Sequence, residues 1–270
     1  MIRVFLFRLR WQAPARGSRF PKTRSCVAMH PSESEPRVCY RFPQPLVSGR
    51  LIRRYKRFLA DMLLDTGETV TVHCPNSGSM LGCIEDGAPV MLSESGNPNR
   101  KTRFTWEMIH INGDWIGINT GIPNLLALEA ARKRALSIFS NAVEARKEVK
   151  ISDRSRIDLM VTEESRSLFV EVKNVTLTRE GIARFPDAVT ARGAKHLEEL
   201  MRLAVEGHGA AMLYIVQRSD AWAFGPADDI DPVYAETYYK ARQRGVTITV
   251  AHAQVTPECI CLTKEMPVLI

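Results

Sequence analysis

The chain lacks any long apolar run: among its 270 residues the longest apolar stretches, such as 210–216, fall far short of the ~20 residues that a membrane-spanning helix needs. A helical membrane protein is thereby excluded. Cysteine is scarce and irregularly spaced, with six residues at Cys26, Cys39, Cys74, Cys83, Cys259 and Cys261. Scattered thiols in a chain this long do not make a disulfide framework, so all six are expected to be reduced and the protein to be cytoplasmic. Cys259 and Cys261 lie two apart in a strand-like run without partners at zinc spacing, and read as core. No internal repeat is present, and no stretch reads as a small-molecule sugar site.

Acidic residues are missing from the first 32 positions, which carry Arg3, Arg8, Arg10, Arg16, Arg19, Lys22 and Arg24. The rest of the chain holds 30 basic residues against 30 acidic ones, so the formal charge of +7 belongs to the extension and the body is neutral. An argument for nucleic-acid binding from overall charge therefore fails, and the case has to rest on local clusters. Arg8 and Arg10 interrupt the apolar start, so no secretory leader is expected. Residues 1–42 read as a basic, disordered extension, with three explanations open: an arm that touches phosphates, an acid-poor targeting segment, or translation from upstream of a start near Met29.

What is present has the composition of a soluble two-domain protein, 45% apolar and 25% charged. Residues 43–120 show strand-like runs at 46–53, 58–64, 69–74, 89–93, 104–111 and 115–118, with Asp65-Thr66-Gly67-Glu68 and Asn112-Gly113 as hairpin turns and no helical pattern. That is the grammar of a small β-barrel. From residue 121 onward the period changes. Leu125, Leu128, Ala131, Ala135 and Phe139 mark a helix face, strands follow at 143–151, 156–162 and 168–173, a second helix at 190–206, and strands at 212–217 and 246–251. The order α-β-β-β-α-β predicts an α+β or α/β domain, a mixed sheet flanked by helices, over 121–270.

The sharpest local signal lies across two of these strands. Alternation sets Asp158 opposite in facing to Ile157, Leu159 and Val161, and sets Glu171 with Lys173 on one face. A hairpin centred between Glu164 and Ser165 pairs residues whose numbers sum to 329, as those of Asp158 and Glu171 do. Directly opposed residues have Cβ atoms roughly 4.5–5.5 Å apart. Two carboxylates that close need a proton or cation between them, and Mg²⁺, with Mn²⁺ as a substitute, suits a site of one or two carboxylates and retained waters. Lys173 is then placed to stabilise charge on a phosphate, the set that phosphodiester hydrolysis needs. Glu129, about 40° around the first helix from Leu125, is expected to flank the same site. The plain alternative is a solvated Glu-x-Lys strand.

These residues carry a resemblance. Asp158 with Glu171-Val172-Lys173 resembles the PD-(D/E)xK nuclease core. The runs RRYKRFLAD (53–61), HCPNSGSM (73–80), RFTWE (103–107), GINT (117–120), EVKNV (171–175) and FPDAVTARG (185–193) are similar to the sugar fermentation stimulation protein family, from about Pro45 to the C-terminus. The resemblance implies an OB-like N-terminal barrel, a restriction-endonuclease-like C-terminal domain and binding of double-stranded DNA with little sequence preference. It also implies a role in regulating sugar metabolism, maltose in particular.

Further candidates are local. Arg50, Arg53, Arg54, Lys56 and Arg57, interleaved with Tyr55 and Phe58, read as a phosphate-tracking surface, or alternatively as a charged edge strand. Arg100, Lys101, Arg103 and Trp106 repeat the theme. Asn76 and Ser77, within the small polar segment 75–79, suit a phosphate nest or a plain tight turn. Arg192, Lys195 and His196 open the second helix and are expected to face a bound strand, with packing or capping as the alternative for His196. The leading expectation is a DNA-binding protein. Its rivals are a Mg²⁺-dependent deoxyribonuclease acting through Asp158, Glu171 and Lys173, and a binder of RNA or single strands.

Overall fold

The computed structural model describes residues 38–152 and 155–269, so the expectations for residues 1–37 fall outside the described residues. The chain enters through β1 (Cys39–Arg41) and then builds β2 (Val47–Tyr55), β3 (Leu59–Leu64), β4 (Thr69–His73), β5 (Pro89–Glu94), β6 (Phe104–Ile111) and β7 (Asp114–Gly117). Strands β2 to β6 close into a five-stranded barrel through the contact of β4 with β6 at His73 and Thr105, and β7 pairs back on β6. The predicted turns are present. Gly67 sits at φ 87°, and Asn112 and Gly113 at 54° and 90°, the left-handed pair that a tight hairpin requires. Alternate residues of these strands, among them Leu51, Met62, Val72, Leu92 and Trp106, fill the barrel.

The second half supplies α1 (Ile122–Lys133), β8 (Glu144–Ser152), β9 (Ser155–Thr162), β10 (Ser167–Val175), β11 (Leu177–Arg179), β12 (Ile182–Phe185) and α2 (Ala191–Val205). It continues through β13 (Gly209–Val216), β14 (Ala223–Pro226), α3 (Pro232–Gln243), β15 (Thr247–Val255) and β16 (Cys259–Glu265). Seven strands form one mixed sheet in the order β1-β16-β15-β13-β10-β9-β8, parallel across β10, β13 and β15. Along β13, Ala211, Leu213 and Ile215 face α1 while Met212, Tyr214 and Val216 face α2 and α3, so the central strand is buried on both sides. The expected barrel followed by a helix-flanked mixed sheet is the fold observed. No helix among the described residues is long and apolar enough to cross a membrane.

Three features depart from expectation. Cys39 to Arg41, read as part of the extension, form a strand on β16 at the edge of the large sheet. That pairing sets Cys39 directly opposite Cys261, and the two are disulfide-bonded across 222 residues of sequence, so the expectation of six reduced thiols fails for this pair. Cys259 remains a free thiol and is only half-buried, as is Cys261, rather than core. Finally, α1 turns a different face to the sheet than predicted. Ile122, Leu126, Ala127, Ala130 and Ala131 are buried, whereas Leu125 is 41% exposed.

Candidate functional site

The hairpin of β9 and β10 has the register read from the sequence, with Ser167 opposite Thr162 and Val170 opposite Leu159. The ladder stops there, one step before Asp158 and Glu171. β10 continues along β13 to Val175, and β9 continues along β8. At the fork, Asp158 takes over the hydrogen bond that a strand partner would have made: its Oδ2 accepts the Val172 N–H at 2.9 Å. Its Oδ1 accepts from the Asn124 side chain at 3.2 Å, in the first turn of α1. Burial, and then the charge of Glu171, raise the Asp158 carboxyl above its ordinary value.

Glu171 is 2% exposed. Burial alone would raise its carboxyl, but Lys173 and His196 outweigh burial and hold it below the ordinary value. Both act on one oxygen: Lys173 Nζ donates to Oε1 at 2.5 Å, and His196 Nδ1 meets the same atom. His196 Nε2 in turn accepts from Arg192 Nε at 3.4 Å, which makes Nδ1 the proton-bearing nitrogen toward Glu171. Glu171 Oε2 is buried and has no hydrogen-bond partner. A buried carboxylate oxygen left bare beside a second carboxylate fits a cation ligand.

This pair lies in a cleft of about 650 Å³ whose walls come from both halves of the chain. The sheet side contributes Asp158, Glu171, Lys173 and Arg192. The barrel side contributes Arg54, Arg57 and the 76–79 segment. Arg54 Nη2 gathers three carbonyl oxygens, those of Arg57, Asn76 and Gly78, at 2.8–2.9 Å. Arg57 binds the Ser77 carbonyl through Nε and Nη2 at 3.3 and 3.0 Å. Asp187 joins the walls: its carboxylate accepts the Met80 N–H at 2.7 Å and its carbonyl accepts the Ser79 hydroxyl at 2.6 Å.

Several expected site residues stand elsewhere. Glu129 does not reach Asp158; because α1 buries the neighbouring face, Glu129 lies with Leu125 away from the sheet and pairs with Lys133 at 3.1 Å. Trp106 is fully buried in the barrel, its Nε1 donating to the Met108 carbonyl at 3.0 Å, so it is a core residue and not a stacking surface. Arg103 pairs with Glu94 at 2.7 Å and covers the Phe104 ring, outside the cleft. Arg53 and Tyr55 are both spent on Asp61, at 2.9 Å each. Lys56 is exposed in the turn before β3, and Lys195 is exposed on α2; neither lines the cleft. His196, expected to face a bound strand, is 7% exposed and serves Glu171. Asn76 and Ser77 do line the cleft, as do Arg54, Arg57 and Arg192.

Sequence reading missed Asn124, Asp187 and Arg184. Asn124 follows Pro123 at the start of a helix, and nothing in the local sequence ties it to Asp158, 34 residues on. Asp187 carries no local signal, because both of its partners are more than a hundred residues away.

Comparison with known proteins bears on this arrangement. The family model described as the sugar fermentation stimulation protein RE domain matches residues 121–259, and the N-terminal OB domain of the same family matches 52–118. The chain belongs to the sugar fermentation stimulation protein family. Its relative in Citrifermentans bemidjiense, named a sugar fermentation stimulation protein homolog, is 50% identical over 230 residues, covering 85% of this chain and 100% of that one. The homolog in Geobacter sulfurreducens is 49% identical over 227 residues, covering 84% and 97%. Among solved structures, that of Pyrococcus furiosus SfsA in complex with Ca²⁺ aligns with a TM-score of 0.79 at 22% identity, over 87% of this chain and 100% of that chain. At that identity the likeness speaks to the fold, which the two share.

Proposed function

We propose that this member of the family binds double-stranded DNA in the cleft, through phosphates and with little preference for sequence. One observation carries the reading. Four guanidiniums line the cleft, those of Arg54, Arg57, Arg184 and Arg192, and among the described residues none pairs with a carboxylate. By contrast Arg53, Arg103, Arg202 and Arg218 all form ion pairs away from it. Guanidiniums gathered in one groove without a direct carboxylate partner are what a polyanion selects.

A grip on single strands would need aromatic faces for bases to stack on. Phe185 is the one aromatic residue lining the cleft among the described residues, and its ring is packed against Tyr214 and Tyr234 at 5.7 and 5.2 Å. This favours duplex over RNA or single strands. With DNA as partner the protein would work in the cytoplasm, and an influence on sugar metabolism would be exerted through that DNA.

A second reading, Mg²⁺-dependent hydrolysis of the phosphodiester, is favoured by the bare Glu171 Oε2 beside Asp158. These two residues would hold Mg²⁺ or Mn²⁺. No cluster of three or more His, Cys, Asp and Glu suited to a metal occurs among the described residues, and two carboxylates match an ion that keeps several waters. The ion would supply Lewis acidity and a water of lowered pKa. Lys173, released from Glu171, would carry its charge to a non-bridging phosphate oxygen, and Asn124 and His196 would hold the two carboxylates in place.

The test is incubation of the purified protein with labelled duplex, nicked and single-stranded DNA in Mg²⁺, Mn²⁺ or chelator, scoring both retention and cleavage, with Glu171→Gln and Lys173→Ala alongside. Duplex retained in chelator supports the first reading. Metal-dependent cutting lost in both variants establishes the second, and neither retention nor cutting under any condition overturns both.

A further inference from the structure

The segment 76–79 has an alternating backbone. The carbonyls of Asn76 and Gly78 are held by Arg54, and that of Ser77 by Arg57. The amides of Gly78 and Met80 are held by Asn76 Oδ1 at 2.8 Å and by Asp187. Among the described residues the amides of Ser77 and Ser79 have no partner. Within a planar trans peptide the carbonyl and the following N–H point in opposite directions. With Arg54 holding the oxygens of residues 76 and 78, the N–H groups of Ser77 and Ser79 therefore project from the other side of the segment. Both residues are exposed, and both border the cleft that also contains Lys173 and Asp158.

We infer that the Ser77 and Ser79 amides form a phosphate-binding subsite, and that Arg54 and Arg57, which also line the cleft, act as positioning residues for it. The two guanidiniums fix the direction of the free N–H groups, and their charge at the carbonyl ends makes those groups stronger donors toward an anion. The barrel thus meets DNA through backbone amides, which select a phosphate and ignore bases. Trp106, which would have given the barrel a stacking face, is buried in its core, and Arg53 and Tyr55 are both bonded to Asp61. This subsite rests on the reading that the cleft holds the DNA backbone, and it assigns one phosphate of that backbone to the barrel.

The experiment is a ¹⁵N–¹H titration of the full chain with a short DNA duplex in chelator, and separately with inorganic phosphate. The expected result is that the Ser77 and Ser79 amide resonances move downfield with saturation, while the already bonded Gly78 and Met80 amides move less. In Arg57→Gln, which frees the Ser77 carbonyl, duplex affinity is expected to fall several-fold. In Ser77→Ala, which keeps the amide and loses only the hydroxyl, affinity should stay near the parent value. Duplex binding that shifts resonances around Lys173 and Arg192 but leaves Ser77 and Ser79 unmoved would overturn the subsite while the proposed function stands. Absence of any duplex binding would overturn the proposed function itself.

Discussion

Asp158 is held by two groups that have no other reason to be there. The Val172 amide is the donor left over where the β9–β10 ladder ends, and Asn124 reaches in from the first turn of α1. Removing Asn124 leaves the fold intact but frees the carboxylate to rotate. In Asn124→Ala, calorimetric titration with Mn²⁺ is expected to show affinity reduced by about 10- to 100-fold, the usual effect of losing a group that orients a metal ligand. Unchanged affinity would show that Asn124 does not orient the site. Glu107 presents a different balance. It is buried on the face of β6 turned away from the barrel interior, bonded to Ser93 at 2.5 Å and Asn119 at 2.8 Å, and burial raises its carboxyl despite those bonds. Its folded pKa lies above the unfolded one, so the group favours the fold most below the ordinary carboxylate range, and that contribution is lost as pH rises through the raised value. Thermal melts across about pH 4 to 8 should therefore show Glu107→Gln gaining on the parent toward the upper end. A constant difference across that range would contradict this. Asp158, Glu171 and Lys173 were legible because a strand's period and a hairpin's register are local quantities. Asn124 and Asp187 were not, since each acquires its partner only when distant elements meet. Trp106 was misread for a related reason: β6 is buried along nearly its whole length, so alternation gave no sign of which face looked inward.

The 75–79 segment owes its place to a close approach. A Cβ on Gly78 would lie 2.8 and 2.9 Å from the two carboxylate oxygens of Asp187. Gly78→Ala must push the segment away from Asp187, at a cost of about 1–3 kcal/mol typical of overpacking. It should also weaken duplex binding while far-UV circular dichroism stays that of the parent; unchanged melting temperature and affinity would show that the segment yields freely. The elements themselves were mostly readable. All the barrel strands lie close to where hydrophobic runs and turn residues put them, because in a small barrel each strand buries its own alternate residues. The predicted stripe ran past the end of α1 to Ala135 and Phe139, and within α1 it took exposed Leu125 in place of buried Leu126, an error that carried Glu129 with it. The α3 helix was overlooked although Asp231 caps its N-terminus by accepting the Tyr234 amide, and Pro232 opens it. Its tyrosines at 234 and 238 are buried against Tyr214 and Phe224, a contact that no local pattern announces.

Across the molecule, a body without net charge still concentrates unpaired cations in one place. Contacts to about four phosphates imply a log–log salt slope near −3.6, or roughly a hundredfold loss of affinity between 50 and 200 mM salt. A duplex affinity indifferent to salt would argue against a phosphate grip. The large-scale features that escaped the sequence are those that join its ends. The β1 strand returns to the sheet completed by β16, and Cys39 meets Cys261, because strand pairing is indifferent to separation along the chain. The most direct test of the account removes charge from the cleft without touching the carboxylates or the barrel segment. Fluorescence anisotropy on a labelled duplex, with Arg184→Gln and Arg192→Gln combined, should give weaker binding on every sequence tried and a salt slope shallower by about 2 than that of the parent. Affinity and slope equal to those of the parent would place DNA, if it binds at all, somewhere other than this cleft.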